Sequence, residues 1–501
     1  MSSNVKPSNM GSTQANMEAI ALRLRKSLHR PPKSLVQRQH LRALMCISVP
    51  RKAKGLIGSL SGSLTCTSYH GTNIGNAKIA GLQKDLHHMS AGRYNACLTI
   101  FFIPYSLLEP VCNVFLKRWK PSVFIPVTVV IWGVVMTSMG FVENWSGLMA
   151  ARWVLGVAEA GLFPGVNYFL SCWYKRDEIG VRTAIFFSAA AISGSFGGLL
   201  AAVIEKLEGR SGKPGWSWIF IIEGIVTIGF GLMSFFLVHD FPDTATFLDE
   251  QDRIRVLQRL KEDQQSSARH ESFQMHYIWA SLRDWKTWGF MLVYMGTDMP
   301  LYAFSLFLPT IIKNIGYTSV HAQLLSVPPY ACAAALTIFV GFLADRTRQR
   351  GLCNISSSIL GIAGFFMLLS TTKPHIQYAG TFLAALGIYP CIPNTISWVS
   401  NNTEGVYKRG IVLGLVIGWG HLNGIVSSNI YFKPPRYTVG HTTILAYLTV
   451  CLLGGSCLMH FLLKRENAAR LAGKRDYLTR GKTEKEVESL GDIRPDFVYT
   501  L

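Results

Sequence analysis

A hydrocarbon layer about 30 Å thick holds no water to satisfy backbone N–H and C=O groups, so a chain crosses it as helices of roughly twenty apolar residues or as a closed barrel. Apolar blocks of that length recur eleven times in this 501-residue chain. They lie near residues 95–116, 122–142, 147–170, 181–204, 216–238, 287–312, 322–343, 352–371, 377–399, 411–431 and 442–463. The pattern predicts an all-α polytopic membrane protein lying in a lipid bilayer. Composition agrees, with 49% hydrophobic residues and only 16% charged.

The net charge of +20 raises the question of nucleic acid. Half of the excess lies in residues 1–54, which hold eleven Lys and Arg against the single acid Glu18. Much of the remainder falls between blocks, in "LKRWK" (116–120), "YKRDE" (174–178), "DRTRQR" (345–350), "YKRG" (407–410) and "LKREN" (463–467). These runs follow every second block, as cytoplasmic loops do under the positive-inside rule, so no nucleic-acid partner is expected. The Arg-rich amino terminus also has the flavour of a mitochondrial transit segment, but Pro31 and Pro32 break its amphipathic continuity. Ten scattered Cys without a CxxC pair, and no ligand-like His spacing, give no sign of disulfides, metal or cofactor.

Charge placement also fixes a topology. The block at 95–116 ends at Lys117 and Arg118, which belong inside, and the basic amino terminus belongs inside too, so one more crossing is needed between Lys54 and Arg93. The only candidate is residues 55–77, free of charge but rich in Gly, Ser, Thr and Asn, and therefore a degenerate first span. The chain then divides into a basic cytoplasmic tail (1–54), a first transmembrane half (55–238), a cytoplasmic linker (239–286) with a Pro-led amphipathic helix, a second half (287–463) and a cytoplasmic tail (464–501).

In "GFLADRTRQRG" (341–351), Gly341 permits close helix approach, and Asp345, Arg346, Arg348 and Arg350 can form interlocking ion pairs at the cytoplasmic mouth. The stretch resembles the G-x-x-x-D-R-x-x-x-R loop signature of the major facilitator superfamily. At the equivalent place in the first half, "NVFLKRWKPS" keeps the basic residues without the Asp. Further stretches narrow the resemblance to the fungal anion:cation symporters, the group of allantoate, nicotinate and pantothenate permeases. They are "TNIGNAKIAGLQKDL", "LTIFFIPYSLLEP", "ARWVLGVAEAGLFPGVNYFLSCWYKR", "FFSAAAISGSFGGLLA", "PLYAFSLFLPTII", "GIYPCIPNTISWVSNN" and "SSNIYFKPPRYTVGH". The resemblance covers about residues 72–465 and implies twelve helices in two six-helix halves around a central cavity, working by alternating access. Relatives have Asp-Arg where His70 and Gly71 stand here, and the likeness stops upstream of Thr72. Residues from about 20 to 71 are therefore read either as an altered exon or shifted frame, or as a diverged first helix.

Ionisable residues inside spans are costly unless they line water or find partners, so they mark candidate sites. Arg152, Gly156 and Glu159 share one helical face, the two charges roughly 10 Å apart. An Arg fork in a cavity suits a carboxylate, and Arg152 matches the family's R-x-x-x-G-x-x-E-A-G-x-x-P-G; the alternative is an Arg permanently paired with a neighbour. Glu159 is either a proton acceptor or that partner. Glu109 and Glu223 match intramembrane carboxylates of the family and are candidates for proton coupling; Glu109 could instead pair at an inner gate, and Glu223 could tie helices together. Asp298 stands where relatives are usually uncharged, and His421 where Asn is common. Both are candidates for substrate choice, Asp298 favouring a zwitterion or a protonatable site, and His421 alternatively bonding across to another helix. "YPCIPNTISWVSNN" offers Tyr389, Asn394, Trp398, Asn401 and Asn402 as cavity or gate contacts, with Pro390 and Pro393 breaking the helix.

No Walker-type phosphate loop is present, so ATP is not the expected energy source. The expectation is a monomeric, cofactor-free carrier, not an enzyme, in the plasma membrane of a fungal cell, coupling protons to uptake of a small organic anion. Alternatives are a transporter serving a metabolic gene cluster, a non-transporting nutrient sensor, and an inactive variant lacking its first helix.

Overall fold

The computed structural model describes residues 74–78, 80–204, 207–263, 274–316, 319–431, 437–483, 486–487 and 490–501. Of the degenerate first span, only Ile74–Ala77 are described, in a helical turn whose Ile74 carbonyl accepts from the Tyr94 hydroxyl at 3.1 Å. The rest of that span, and the basic tail 1–54, lie outside the described residues.

All regular structure among the described residues is helical. The first half contains α1 (Ala91–Arg118), α2 (Pro121–Met139), α3 (Trp145–Glu159), α4 (Leu162–Trp173), α5 (Ile179–Ile204) and α6 (Gly215–Leu237). Local chemistry sets several starts: Ser90 and Asn144 accept the Arg93 and Gly147 amides at α1 and α3, and α2 opens on Pro121. The block expected at 147–170 is thus two helices, α3 and α4, meeting at Ala160 and Gly161. Helix α6 lies against α2 at Gly224, whose missing side chain leaves room for the Gly133 carbonyl and the Thr137 hydroxyl.

Between the halves run α7 (Glu250–Glu262) and α8 (His276–Arg283). Helix α7 is the expected amphipathic one, burying Val256 and Leu260, and its Arg259 pairs with Glu178 of the first half. The second half contains α9 (Trp285–Asn314), α10 (Ser319–Thr347), α11 (Arg350–Ser370), α12 (Pro374–Ile388), α13 (Cys391–Asn401), α14 (Val406–Leu422), α15 (Gly424–Asn429), α16 (Thr438–Ala446) and α17 (Gly455–Leu471). Helices α12 and α13 meet at Tyr389–Pro390, the break expected from the prolines. Helices α16 and α17 form one rod through a π segment, Tyr447–Gly454, and the rod extends past the expected end at 463 to Leu471.

The halves touch along two seams, α1 with α14 and α5 with α10. In the first, Gly414 and Gly418 let α14 lie on α1, Gly418 against the Ser106 carbonyl. Pro110, four residues on, has no N–H for that carbonyl, so the irregularity of α1 and the glycine of α14 coincide. In the second seam, Gly341 is the close-approach residue expected: a Cβ there would lie 2.6 Å from the Ala184 Cβ and 3.1 Å from the Gly180 carbonyl oxygen.

Candidate functional site

Cys97, Phe101, Tyr105 and Glu109 are spaced by four and share one face of α1. The Cys97 carbonyl accepts from Arg152 Nε at 3.2 Å, and the Arg152 guanidinium lies over the Phe101 ring at 4.6 Å. Phe101 stacks on Tyr105 at 5.1 Å, and Tyr105 stacks on His421 of α14 at 4.5 Å. A ladder of rings therefore links Arg152 of α3 to His421 in the other half.

His421 is the hub of the centre. Its Nδ1 lies 2.5 Å from Glu109 Oε1, and its Nε2 lies 3.9 Å from Asp298 Oδ2 of α9. Tyr302, one turn after Asp298, meets the His421 ring edge-on at 5.7 Å, and Phe163 of α4 closes another side at 6.0 Å. Glu109, Asp298 and His421 are buried. A carboxylate on each side of an imidazole makes a site that can take up and pass on protons through side chains alone. Glu109 therefore pairs across the seam between the halves, and His421 does bond across to another helix. Glu159, on the face of α3 that bears Arg152, is buried, and its Oε2 has no hydrogen-bond partner among the described residues. Glu223 is buried on α6, the helix that packs on α2.

The other expected residues form a second cluster at the basic end of the molecule. Asp345 Oδ1 and Oδ2 accept the Gly180 and Val181 amides at 3.1 and 2.8 Å. These are first-turn donors of α5, so a carboxylate of the second half caps a helix of the first. Arg350 is buried; its Nη2 donates to Asp345 at 2.5 Å and to the Arg176 carbonyl at 3.2 Å. Asn394 Nδ2 donates to the Arg350 carbonyl at 2.8 Å, and Asn401 Nδ2 to the Arg176 carbonyl at 2.7 Å, while Arg176 Nε returns to the Asn401 carbonyl at 2.8 Å. Asn394 and Asn401 thus belong to this gate-like knot, away from His421. Arg348 pairs with Asp177 at 3.0 Å in solvent. Arg346 is exposed and has no ion pair among the described residues, so the expected set of interlocking pairs is realised without it. Tyr389 lies at the α12–α13 break, its hydroxyl 3.0 Å from Ser305 Oγ.

Comparison with known proteins decides what this two-cluster arrangement belongs to. Residues 60–428 match the family model described as "Major Facilitator Superfamily". The chain belongs to that superfamily. The major facilitator match is carried further by relatives from fungi. The chain is 33% identical to the MFS-type transporter cnsO of Penicillium expansum, over 89% of each chain. It is 30% identical to the high-affinity nicotinic acid transporter of Saccharomyces cerevisiae, over 85% of this chain and 80% of that one. Among solved structures, a double-tryptophan mutant of XylE aligns with a TM-score of 0.62 at 14% identity, over 88% of this chain and 98% of that one. That likeness shows the fold, a major facilitator bundle of membrane helices, and the relatives show a transporter.

Sequence reasoning missed Phe101, Tyr105 and Tyr302 as companions of Arg152 and His421. The four-residue spacing from Cys97 to Glu109 was a visible signal. It also missed Arg176 and residues 491–501, for which no local pattern is diagnostic.

Proposed function

We propose that this transporter couples proton movement to uptake of a small organic carboxylate across the plasma membrane by alternating access. The observation that carries the reading is the Glu109–His421–Asp298 cluster at the seam between the halves, joined by stacked rings to Arg152. Among the described residues Arg152 commits only Nε to a hydrogen bond, which leaves Nη1 and Nη2 as a fork for a carboxylate. Phe101 and Tyr105 offer a flat apolar surface beside it.

The proton and the seam are the same physical object in this reading. Glu109 belongs to α1 and His421 to α14, so a proton shared between them ties one half to the other. Arrival of substrate at Arg152 and of a proton at the pair both change the charge buried between the halves. Rocking is favourable when that charge is balanced and costly when it is not. An aromatic carboxylate, the chemistry named for the Saccharomyces cerevisiae relative, suits an Arg beside stacked rings. Asp298 adds a place for a cationic group and favours a zwitterion within the carboxylate class.

The test is uptake of labelled carboxylates, nicotinate among them, into yeast expressing the chain, with and without a protonophore. Accumulation that collapses with the proton gradient supports the reading. Accumulation indifferent to the gradient would falsify it.

A further inference from the structure

Residues 491–501 fold back onto the basic end, and nothing in the transport cycle described above accounts for them. Arg470 of α17 is the peg: its Nη1 donates to the Asp492, Arg494 and Phe497 carbonyls at 3.1, 2.9 and 2.7 Å, and its Nη2 to the Tyr499 hydroxyl at 2.6 Å. Asp492 is buried between Lys286 and Lys408, 2.8 Å from Lys408 Nζ, and both lysines also reach Asp284. Arg494 binds Glu404 at 3.0 Å. Thr500 exchanges hydrogen bonds with Asn402 and accepts from Trp398 Nε1 at 2.8 Å. Trp398 and Asn402, expected to face a cavity or gate, thus hold this segment.

All those anchors lie on the second half or beside its first helix. The segment meets the first half at Arg176. That residue donates from Nη2 to the Val498 carbonyl at 3.2 Å, and its guanidinium lies 4.4 Å from the centre of the Phe497 ring. Arg176 is also the residue that exchanges hydrogen bonds with Asn401 across the halves. A cavity of about 350 Å³ opens here, lined by Arg176, Asp345, Arg348 and Arg350 together with Val498 and Tyr499.

We propose that Gly491–Leu501 is a third component of the inner gate, a strap fixed to the second half whose Phe497 and Val498 hold Arg176 in the position that closes the first half against it. The strap favours the inside-closed state because its bonds to Arg176 exist only when the halves meet. Its other bonds travel with the second half and are indifferent to the state. The inference rests on the alternating-access reading above, and its test separates the two.

The first-turn amides of α5 report on this gate, since Asp345 is their acceptor. Hydrogen exchange of a peptide covering residues 176–182 is followed by mass spectrometry in the full-length purified protein, in Phe497→Ala, in a chain ending at Leu490, and in Asp345→Asn as the variant that opens the gate directly. The chain ending at Leu490 also strips Lys286 and Lys408 of a carboxylate, so Phe497→Ala, which keeps every anchor, decides if the shortened chain does not fold. Removing the Phe497 ring deletes the cation–π interaction and frees the guanidinium to leave the Val498 carbonyl, which predicts about ten-fold faster exchange in Phe497→Ala. Faster exchange in Asp345→Asn with none in Phe497→Ala overturns the strap while leaving alternating access in place. Unchanged exchange in Asp345→Asn overturns the gate itself, and the strap with it.

Discussion

The centre of the molecule and its basic end both bury charge, yet they treat it differently. At the basic end the buried carboxylates meet cations or amides: Asp345 takes two amides and a guanidinium, and Asp492 sits between two ammonium groups. The atoms left there without a hydrogen-bond partner among the described residues include Arg350 Nε, Arg494 Nε and Asn401 Oδ1. At the centre, Glu109 Oε2, Glu159 Oε2 and Asp298 Oδ2 are buried with no hydrogen-bond partner among the described residues. Satisfied carboxylates rigidify an interface, whereas buried carboxylates left with open oxygens suit something that comes and goes. The first pattern suits a gate and the second a site for substrate and protons.

The comparison is broken most directly at the seam. Glu109→Gln keeps the shape and a hydrogen bond to His421 but cannot release a proton. Net accumulation of the transported substrate should fall at least 100-fold, while exchange of labelled for unlabelled substrate across the membrane survives. Loss of both by the same factor would make Glu109 a structural tie, no different in kind from the gate residues. Arg152→Lys should weaken half-saturation by about ten-fold or more through loss of the planar fork.

A smaller effect is expected where the halves meet without charge. Gly341→Ala puts a methyl 2.6 Å from the Ala184 Cβ, and neither backbone can yield without parting α5 from α10. The inside-closed state should lose about ten-fold in population, read as faster exchange of the α5 amides, with fold and melting temperature little changed. Gly341→Ala that exchanges like the wild type would show that the seam is loose enough to make its glycine incidental.

Much of this architecture was legible because its determinants are local. Twenty-residue apolar runs announce spans, and Pro390 and Pro393 announce the break at Tyr389. What was not legible depends on pairing across the chain. Glu109 and His421 are 312 positions apart, and nothing near either one says that they meet. The split at Ala160–Gly161 was hidden because the apolar run continues across it. The strap was hidden for another reason: outside a span, hydropathy gives no warning that a polar segment is anchored. Only the close set of Asp492, Arg494, Phe497 and Tyr499 in a polar tail was available to suggest packing.

The strap also gives the basic end a pH dependence of its own. Burial opposes the charge on Asp492, but Lys286 and Lys408 outweigh it and hold its carboxyl down to about 2. Its contribution is therefore complete above the unfolded value near 4 and is lost as pH falls toward 2. Glu404 moves the other way, since burial pushes it up to about 7 against the pull of Arg494 and Arg409. A raised carboxyl contributes fully below its unfolded value and loses that contribution progressively as pH rises from there through 7. Arg494 meets Glu404 as an ion pair only where Glu404 is ionised, so the strap itself should be held best above about pH 7 and loosen as pH falls through 7 and then toward 2. Exchange of residues 491–501, corrected for intrinsic rate, should then quicken a few-fold as pH falls. A flat profile would mean that the bonds of Arg470 hold the strap alone.

The smallest effect separates residues that the loop signature places on equal terms. Arg350 is buried and bonds across the halves. Arg348 reaches Asp177 but remains exposed, and Arg346 is exposed without an ion pair among the described residues. Exposed ion pairs contribute roughly 0–1 kcal/mol. Arg348→Gln should therefore change uptake less than about five-fold, and Arg346→Gln less than about two-fold. Arg350→Gln leaves Asp345 buried without its cation and should cost ten-fold or more. Equal losses at all three positions would show that the loop acts through its net charge on the membrane surface, and the distinction between satisfied and open charge would then have no bearing on how the gate closes.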